Sequence, residues 1–157
     1  MKSPKHVVSL LAAALALSVT PPASEAADAE GAFRVLVFSR TLGYRHASIA
    51  DGIRALRELG RDNGFAVDAT EDSGAISPAN LPRYQVVVFL SVTGDVLNPD
   101  QQAAFKSYVL SGGGFAAVHG AVFGPLACED KWAWYGEMFC CAFKDHSGIV
   151  PAVVVIE

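Results

Sequence analysis

Three short apolar runs, each followed by a polar loop, constrain most strongly what this chain can fold into. Residues 33–38 are rich in β-branched and aromatic side chains, residues 85–90 are apolar apart from the leading glutamine, and residues 115–119 follow three glycines. Strands with one face in water alternate apolar and polar residues, whereas continuously apolar strands are typical of parallel sheets covered on both faces. The runs therefore predict a parallel sheet buried between helices.

The residues between these runs predict the remaining elements. Apolar side chains recur at helical spacing over 48–63, and residues 98–110 begin with the Asn-Pro pair typical of a helix start. A third helix is expected over 132–143, a turn of helical character over 76–81, and further strands over 65–70 and 150–156. Strands that alternate with helices indicate an α/β fold with a mainly parallel sheet. Because the chain stops directly after its last predicted strand, we expect the C-terminal part of this domain to be missing.

The first 26 residues have the features of a secretory signal peptide. A lysine-containing start precedes an apolar run over 7–19, and small residues at 24–26 suit cleavage at that point. The run is shorter than the roughly 20 residues that a membrane-spanning helix needs, although an uncleaved membrane anchor is the alternative interpretation. Residues 27–32 form a linker in this interpretation, and residues 33–157 form one domain. We expect a periplasmic or extracellular protein that is free of the membrane after cleavage.

Net charge and cysteine spacing exclude several classes of function. The formal net charge of −4 argues against nucleic acid as a partner. The odd number of cysteines leaves at least one free thiol, and a disulfide from Cys128 to either Cys140 or Cys141 stays open. No Cys-x-x-Cys pair is present, so no structural zinc site is expected, and no Gly-x-Ser-x-Gly elbow indicates a hydrolase triad.

Polar residues follow three of the predicted strands, over 39–46, 91–95 and 119–121. Ligands of parallel α/β sheets bind beyond the carboxyl ends of the strands, so these loops predict a cleft. His46, His119 and His146 are the candidate catalytic residues, because imidazole serves as general acid or base near neutral pH and also binds metals. Arginine forks and polar or aromatic side chains suit an anionic or polyol ligand. The candidate substrate-binding residues are Arg40, Thr41, Tyr44, Arg45, Thr93, Asp95 and Trp134.

Each of these candidates also has a structural interpretation. His46 is placed to cap the helix that follows it, His119 ends a strand, and His146 lies in a turn where surface exposure is usual. Asp95 is placed to shape its own loop. The aromatic residues near the C-terminus are more often core than a platform for sugars. They are Trp132, Trp134 and Tyr135.

Several ordered blocks resemble the ThuA-like (trehalose utilisation) family across residues 33–157. The blocks comprise residues 33–49, 86–97 and 112–120, and residues 132–135 together with 143–146. The resemblance implies a flavodoxin-like three-layer sandwich related to class I glutamine amidotransferases. In those enzymes the turn after the corresponding strand carries a nucleophilic cysteine. Here Val118-His119-Gly120 stands in that turn, so amide transfer through a thioester is not available.

The resemblance also implies a sugar, disaccharide or 3-keto-sugar derivative as the small-molecule ligand, with the three histidines in its pocket. Residues 122–130 are more apolar than the family pattern, and the family domain continues beyond the end of this chain. Three hypotheses follow. The protein is an exported carbohydrate-processing enzyme with histidine acid–base chemistry and an optional divalent metal, a non-catalytic carbohydrate-binding or accessory domain, or an inactive truncated remnant.

Overall fold

The computed structural model describes residues 33–121 and 129–139, together with residues 148, 151 and 153. The predicted signal peptide and linker lie outside the described residues. So do His146, the three cysteines, and most of the strand expected over 150–156.

Within the described residues, four strands form one parallel sheet. They are β1 (Arg34–Phe38), β2 (Ala66–Thr70), β3 (Val86–Leu90) and β4 (Gly114–Val118). The spatial order is β2-β1-β3-β4, and every neighbouring pair is parallel. This is the order of flavodoxin-like sheets, in which the strand order reverses between β1 and β3. The predicted α/β fold with a parallel sheet is confirmed.

Three helices accompany the sheet: α1 (Ile49–Asn63), α2 (Pro99–Leu110) and α3 (Glu129–Phe139). Gly64 directly follows helix α1 and terminates it, because its φ of 73° lies in the left-handed region that glycine adopts without strain. Helix α2 begins with a capping box, in which Asn98 and Gln101 each accept the other's backbone N–H at 2.9 Å. In the described part of the chain, no helix is both long and apolar enough to cross a membrane.

Two details refine the sequence prediction. Over 76–81 the expected turn of helical character is present, since the N–H groups of Asn80 and Leu81 both donate to the Ser77 carbonyl, and short 3₁₀ turns lie on either side of it, at Ser73–Ala75 and Leu81–Arg83. Pro78 and Pro82 lack backbone N–H groups, which favours short turns over a continuous helix. Helix α3 starts before the predicted residue 132, and Trp132 has a non-helical backbone (φ −149°) that kinks it.

The two central strands, β1 and β3, are buried on both faces, which explains their continuously apolar sequences. Odd-numbered positions of β1 pack with Ile49 of helix α1, and even-numbered positions face an aromatic cluster on the other side. Phe89 is fully buried in this cluster, with its ring centroid 5.0 Å from that of Phe105 and 5.1 Å from that of Phe115. Trp132 and Tyr135 are also buried there, so for these two residues the core interpretation holds.

Candidate functional site

The loops after β1 and β3 are joined at the carboxyl edge of the sheet. Thr41 and Thr93 form a parallel bridge, and the Leu42 N–H donates to the Thr93 carbonyl at 2.8 Å. The buried Thr93 hydroxyl donates to the Tyr44 carbonyl at 3.0 Å. These bonds hold the segment that carries Tyr44 and His46 above the ends of both strands. Thr41 and Thr93, two of the expected substrate-binding residues, therefore build the site through backbone and side-chain contacts within the protein.

His119 sits in a tight turn directly after β4. Its φ is 38° and that of Gly120 is 81°, so the chain turns through the left-handed region immediately after Val118. Few residues other than glycine have positive φ, because the Cβ atom crowds the backbone there. The Ser91 N–H donates to the Val118 carbonyl at 2.8 Å and fixes this turn to the end of β3. The turn thus projects the His119 imidazole over the carboxyl edge.

The other side of the same turn is held by Tyr135 of helix α3. Its buried hydroxyl donates to the carbonyl of Ala121 at 3.1 Å. Burial raises the pKa of Tyr135, so the hydroxyl keeps the proton that it donates. Tyr135 is a positioning residue, whereas sequence reasoning weighed only core packing against a sugar platform for it, because its bond to a distant carbonyl leaves no mark on the sequence.

His46 and His119 meet across the carboxyl edge. Their Nε2 atoms lie 3.1 Å apart although the residues are 73 positions apart in the chain. The ring centroids are 4.4 Å apart and the ring planes are inclined by 81°. The His46 carbonyl also accepts the Ile49 N–H at 3.3 Å, so its backbone begins helix α1 while its side chain faces His119. The structure therefore brings together two of the three histidines expected in the cleft, and His146 lies outside the described residues.

Tyr44 borders this histidine pair, and two charged residues line a groove at the same edge of the sheet. The Tyr44 side chain is 69% exposed, and its ring centroid lies 4.7 Å from that of His46. Arg40 and Asp95 line a groove of about 590 Å³ that extends toward the start of helix α2. These three expected substrate-binding residues thus lie at the carboxyl edge, where a polar ligand has access to them.

Two expected substrate-binding residues have other contacts. The exposed Arg45 guanidinium forms a two-pronged ion pair with Glu71, at 2.7 and 3.1 Å. The Glu71 carboxylate raises the pKa of Arg45 through these hydrogen bonds and its charge. Trp134 packs against helix α2, with its ring centroid 6.4 Å from that of Phe105 and 5.7 Å from the Lys106 ammonium. Glu71 was missed, although its place directly after β2 obeys the same rule that found the other loops.

Within residues 33–121 and 129–139, no group of three or more His, Cys, Asp or Glu side chains is placed to hold a metal ion. At this edge of the sheet the structure brings together two imidazoles, those of His46 and His119. One imidazole can donate through Nε2–H while the other accepts, so the pair can hold and pass on a proton.

The backbone of His119 makes a testable contribution to stability. Replacing His119 by glycine or by alanine removes the same imidazole, but only glycine adopts positive φ freely. The strain of a left-handed residue is about 1–2 kcal/mol, and the greater freedom of glycine in the unfolded chain offsets about 0.4–1 kcal/mol of that. We expect His119→Gly to be more stable than His119→Ala by about 1 kcal/mol in urea unfolding.

The matched control for that pair is Ala117→Gly. Ala117 lies within β4, where the backbone is extended. Glycine should lower stability there, by about 0.5–1 kcal/mol. If His119→Ala proved equal to or more stable than His119→Gly, the turn would carry no strain.

Comparison with known proteins agrees with this architecture. A crystal structure of a ThuA-like protein from Bacteroides uniformis superposes with a TM-score of 0.56 at 23% identity, covering 71% of this chain. The match spans 45% of that protein's chain, and its low identity supports the fold alone. No curated protein matches the sequence. The family model described as "Trehalose utilisation" (ThuA) matches residues 34–157. The chain therefore belongs to the ThuA family.

Proposed function

We propose that this protein binds and processes a sugar or disaccharide derivative at the carboxyl edge of its sheet, with His46 and His119 as its acid–base pair. The observation that carries the proposal is the 3.1 Å separation of the two Nε2 atoms, which come from separate loops. A histidine in hydrogen-bonding reach of a second proton carrier suits general acid–base catalysis near neutral pH. The strained backbone of His119 adds support, since such strain clusters at functional sites.

The chemistry around the pair supports a sugar as the ligand. The exposed Tyr44 ring offers an apolar face with a polar edge, which suits the mixed surface of a pyranose. Arg40 and Asp95, which line a groove at the same edge of the sheet, offer a donor fork and an acceptor for hydroxyl groups. The family description, trehalose utilisation, points to the same class of ligand.

Export is part of the proposal. The N-terminal sequence has the charged start, apolar run and small-residue cleavage pattern of a signal peptide. The ligand would then be a sugar met in the periplasm or outside the cell.

Replacement of His119 by asparagine tests the proposed chemistry. Asparagine tolerates positive φ better than most residues, so the turn is preserved while the titratable imidazole is lost. We expect turnover of trehalose or a 3-keto-disaccharide to fall by about a hundredfold or more, with sugar affinity in calorimetry changed only a few-fold. Product is followed by chromatography over long incubation.

Arg61→Gln is the matched control, because Arg61 is an exposed side chain in the last turn of helix α1. It should turn over sugar at the wild-type rate. Wild-type turnover by His119→Asn would overturn the acid–base assignment. Saturable sugar binding by the wild-type chain without any product would replace the enzyme by a carbohydrate-binding domain.

A further inference from the structure

We infer that His46 and His119 supply two Nε2 ligands to a divalent transition-metal ion, with zinc as the reference case. The inference rests on the proposed function for the sugar ligand only, because two Nε2 atoms bound to an ion act as metal ligands and not as the acid–base pair. Its evidence is separate and consists of the distance between the two nitrogens, the direction of the rings, and the chemistry of the donors.

The distance between the nitrogens fits a shared ion. Imidazole nitrogens lie about 2.0–2.1 Å from zinc. Two such nitrogens 3.1 Å apart subtend an angle of about 98° at the ion, between the octahedral and tetrahedral values. The separation of the two nitrogens therefore suits a shared ion as it stands.

The two rings are not aligned along the line between their Nε2 atoms. An in-line Nε2–H···Nε2 bond of this length would place the ring centroids about 5.4 Å apart. Two rings aimed at one ion would have centroids about 4.8 Å apart. The observed 4.4 Å is shorter than both, so at least one ring axis turns away from the line between the nitrogens. This off-line arrangement is what binding of a third atom beside the pair requires.

The donors and their exposure indicate which ion and which substrate fit. Neutral imidazole favours zinc, copper, nickel or cobalt over magnesium and calcium. Both ligands are neutral, so the ion would keep its double charge and act as a Lewis acid. His119 is exposed and His46 is half-buried, which leaves room on the solvent side for other ligands. Two adjacent oxygens of a sugar, as in a vicinal diol or hydroxy-ketone, have the spacing to chelate there.

The test is metal titration of the full chain after treatment with EDTA and dialysis. Zinc chloride is titrated by calorimetry, and cobalt chloride is followed through its visible absorption. We expect one zinc ion per chain, with magnesium chloride giving no heat of binding. His46→Gln and His119→Gln should each weaken zinc binding at least tenfold. The double variant should bind zinc about as weakly as either single variant, because the loss of one histidine already abolishes chelation by the pair.

Glu58→Gln is the matched control. Glu58 is an exposed carboxylate on helix α1 that faces Arg61 at 3.9 Å, and carboxylates of this kind bind cations adventitiously. Its zinc affinity should stay within twofold of wild type. Urea unfolding of every variant shows whether a lost ion reflects a lost fold, and His119→Asn repeats the measurement with a backbone-tolerant residue. Unchanged zinc affinity in the histidine variants, or equal affinity for zinc and magnesium, would overturn the inference.

Sugar binding, measured with and without zinc, separates this inference from the proposed function. Sugar turnover in EDTA by a chain that binds no zinc refutes the metal site and leaves the proposed function standing. If the chain binds zinc through both histidines but neither binds nor turns over sugar, the metal site is supported and the proposed function is refuted. If the chain binds both zinc and sugar at this site, sugar should tighten zinc binding and zinc should tighten sugar binding by the same factor.

Discussion

Replacement of Phe89 by alanine is expected to lower the free energy of unfolding by about 3–5 kcal/mol. Phe89 is fully buried in the central part of the sheet, and its ring lies 5.0–5.4 Å from three other phenylalanine rings. The change removes a large apolar side chain from a densely packed region and leaves a cavity that its neighbours fill only partly. Urea unfolding followed by circular dichroism measures the loss.

Phe33→Ala is the matched control for Phe89→Ala. The Phe33 side chain is 47% exposed, and its single described ring contact is an edge contact with Phe65 at 6.1 Å. We expect a loss of about 1 kcal/mol or less there, because less area returns to water and no cavity forms. A loss at Phe89 as small as that at Phe33 would mean that the aromatic cluster is loosely packed. Small domains are stable by only about 5–15 kcal/mol, so Phe89→Ala brings the fold close to unfolding.

Gly60→Ala is expected to destabilise the protein by about 1–3 kcal/mol, even though alanine is the better helix former. A Cβ atom at Gly60 would lie 2.5 Å from the Phe65 carbonyl oxygen and 3.1 Å from a methyl group of Val67. The chain reverses at this point, and the Phe65 N–H donates to the Gly60 carbonyl at 3.0 Å. Because the clash is with backbone, relief requires helix α1 to move away from β2. The same urea experiment measures this loss.

Gly52→Ala is the control for this change, since it lies in the same helix. Its Cβ would meet only the tip of the Leu90 side chain, at 3.0 Å, and such a tip can rotate. We expect stability to change by less than about 1 kcal/mol, since the gain in helix propensity offsets the contact. Equal losses at both glycines would show that backbone crowding at residue 60 is not the cause.

The strands and helices were predictable because their signals are local. Continuous apolar runs gave β1, β3 and β4 to within a residue at each end, and the Asn98-Pro99 pair placed the start of helix α2 correctly. The 3₁₀ turn at Ser73–Ala75 was harder to predict, because it depends on one short-range bond in which the Gly74 N–H donates to the Asp72 side chain.

The candidate site was predictable only in outline. The rule that parallel strands end at one edge placed His46 and His119 on the same side of the sheet. Their 3.1 Å contact depends on the positive φ of His119 and on the bridge between Thr41 and Thr93, and neither leaves a local pattern. The pairing of Arg45 with Glu71 was likewise out of reach, because the position of Glu71 after β2 does not indicate which loop it contacts.

In a partly folded chain that has formed only β1, α1 and β2, His46 cannot contact His119, because His119 follows β4. The last three residues of β4, Ala116–Val118, are exposed, whereas β1 and β3 are buried over most of their length. Strands that are exposed to solvent open at a lower free energy than the buried centre of a sheet. Detachment of β4 would separate the two imidazoles while β1, β2 and β3 stay paired. Loss of the histidine pair on mild heating should therefore precede global unfolding.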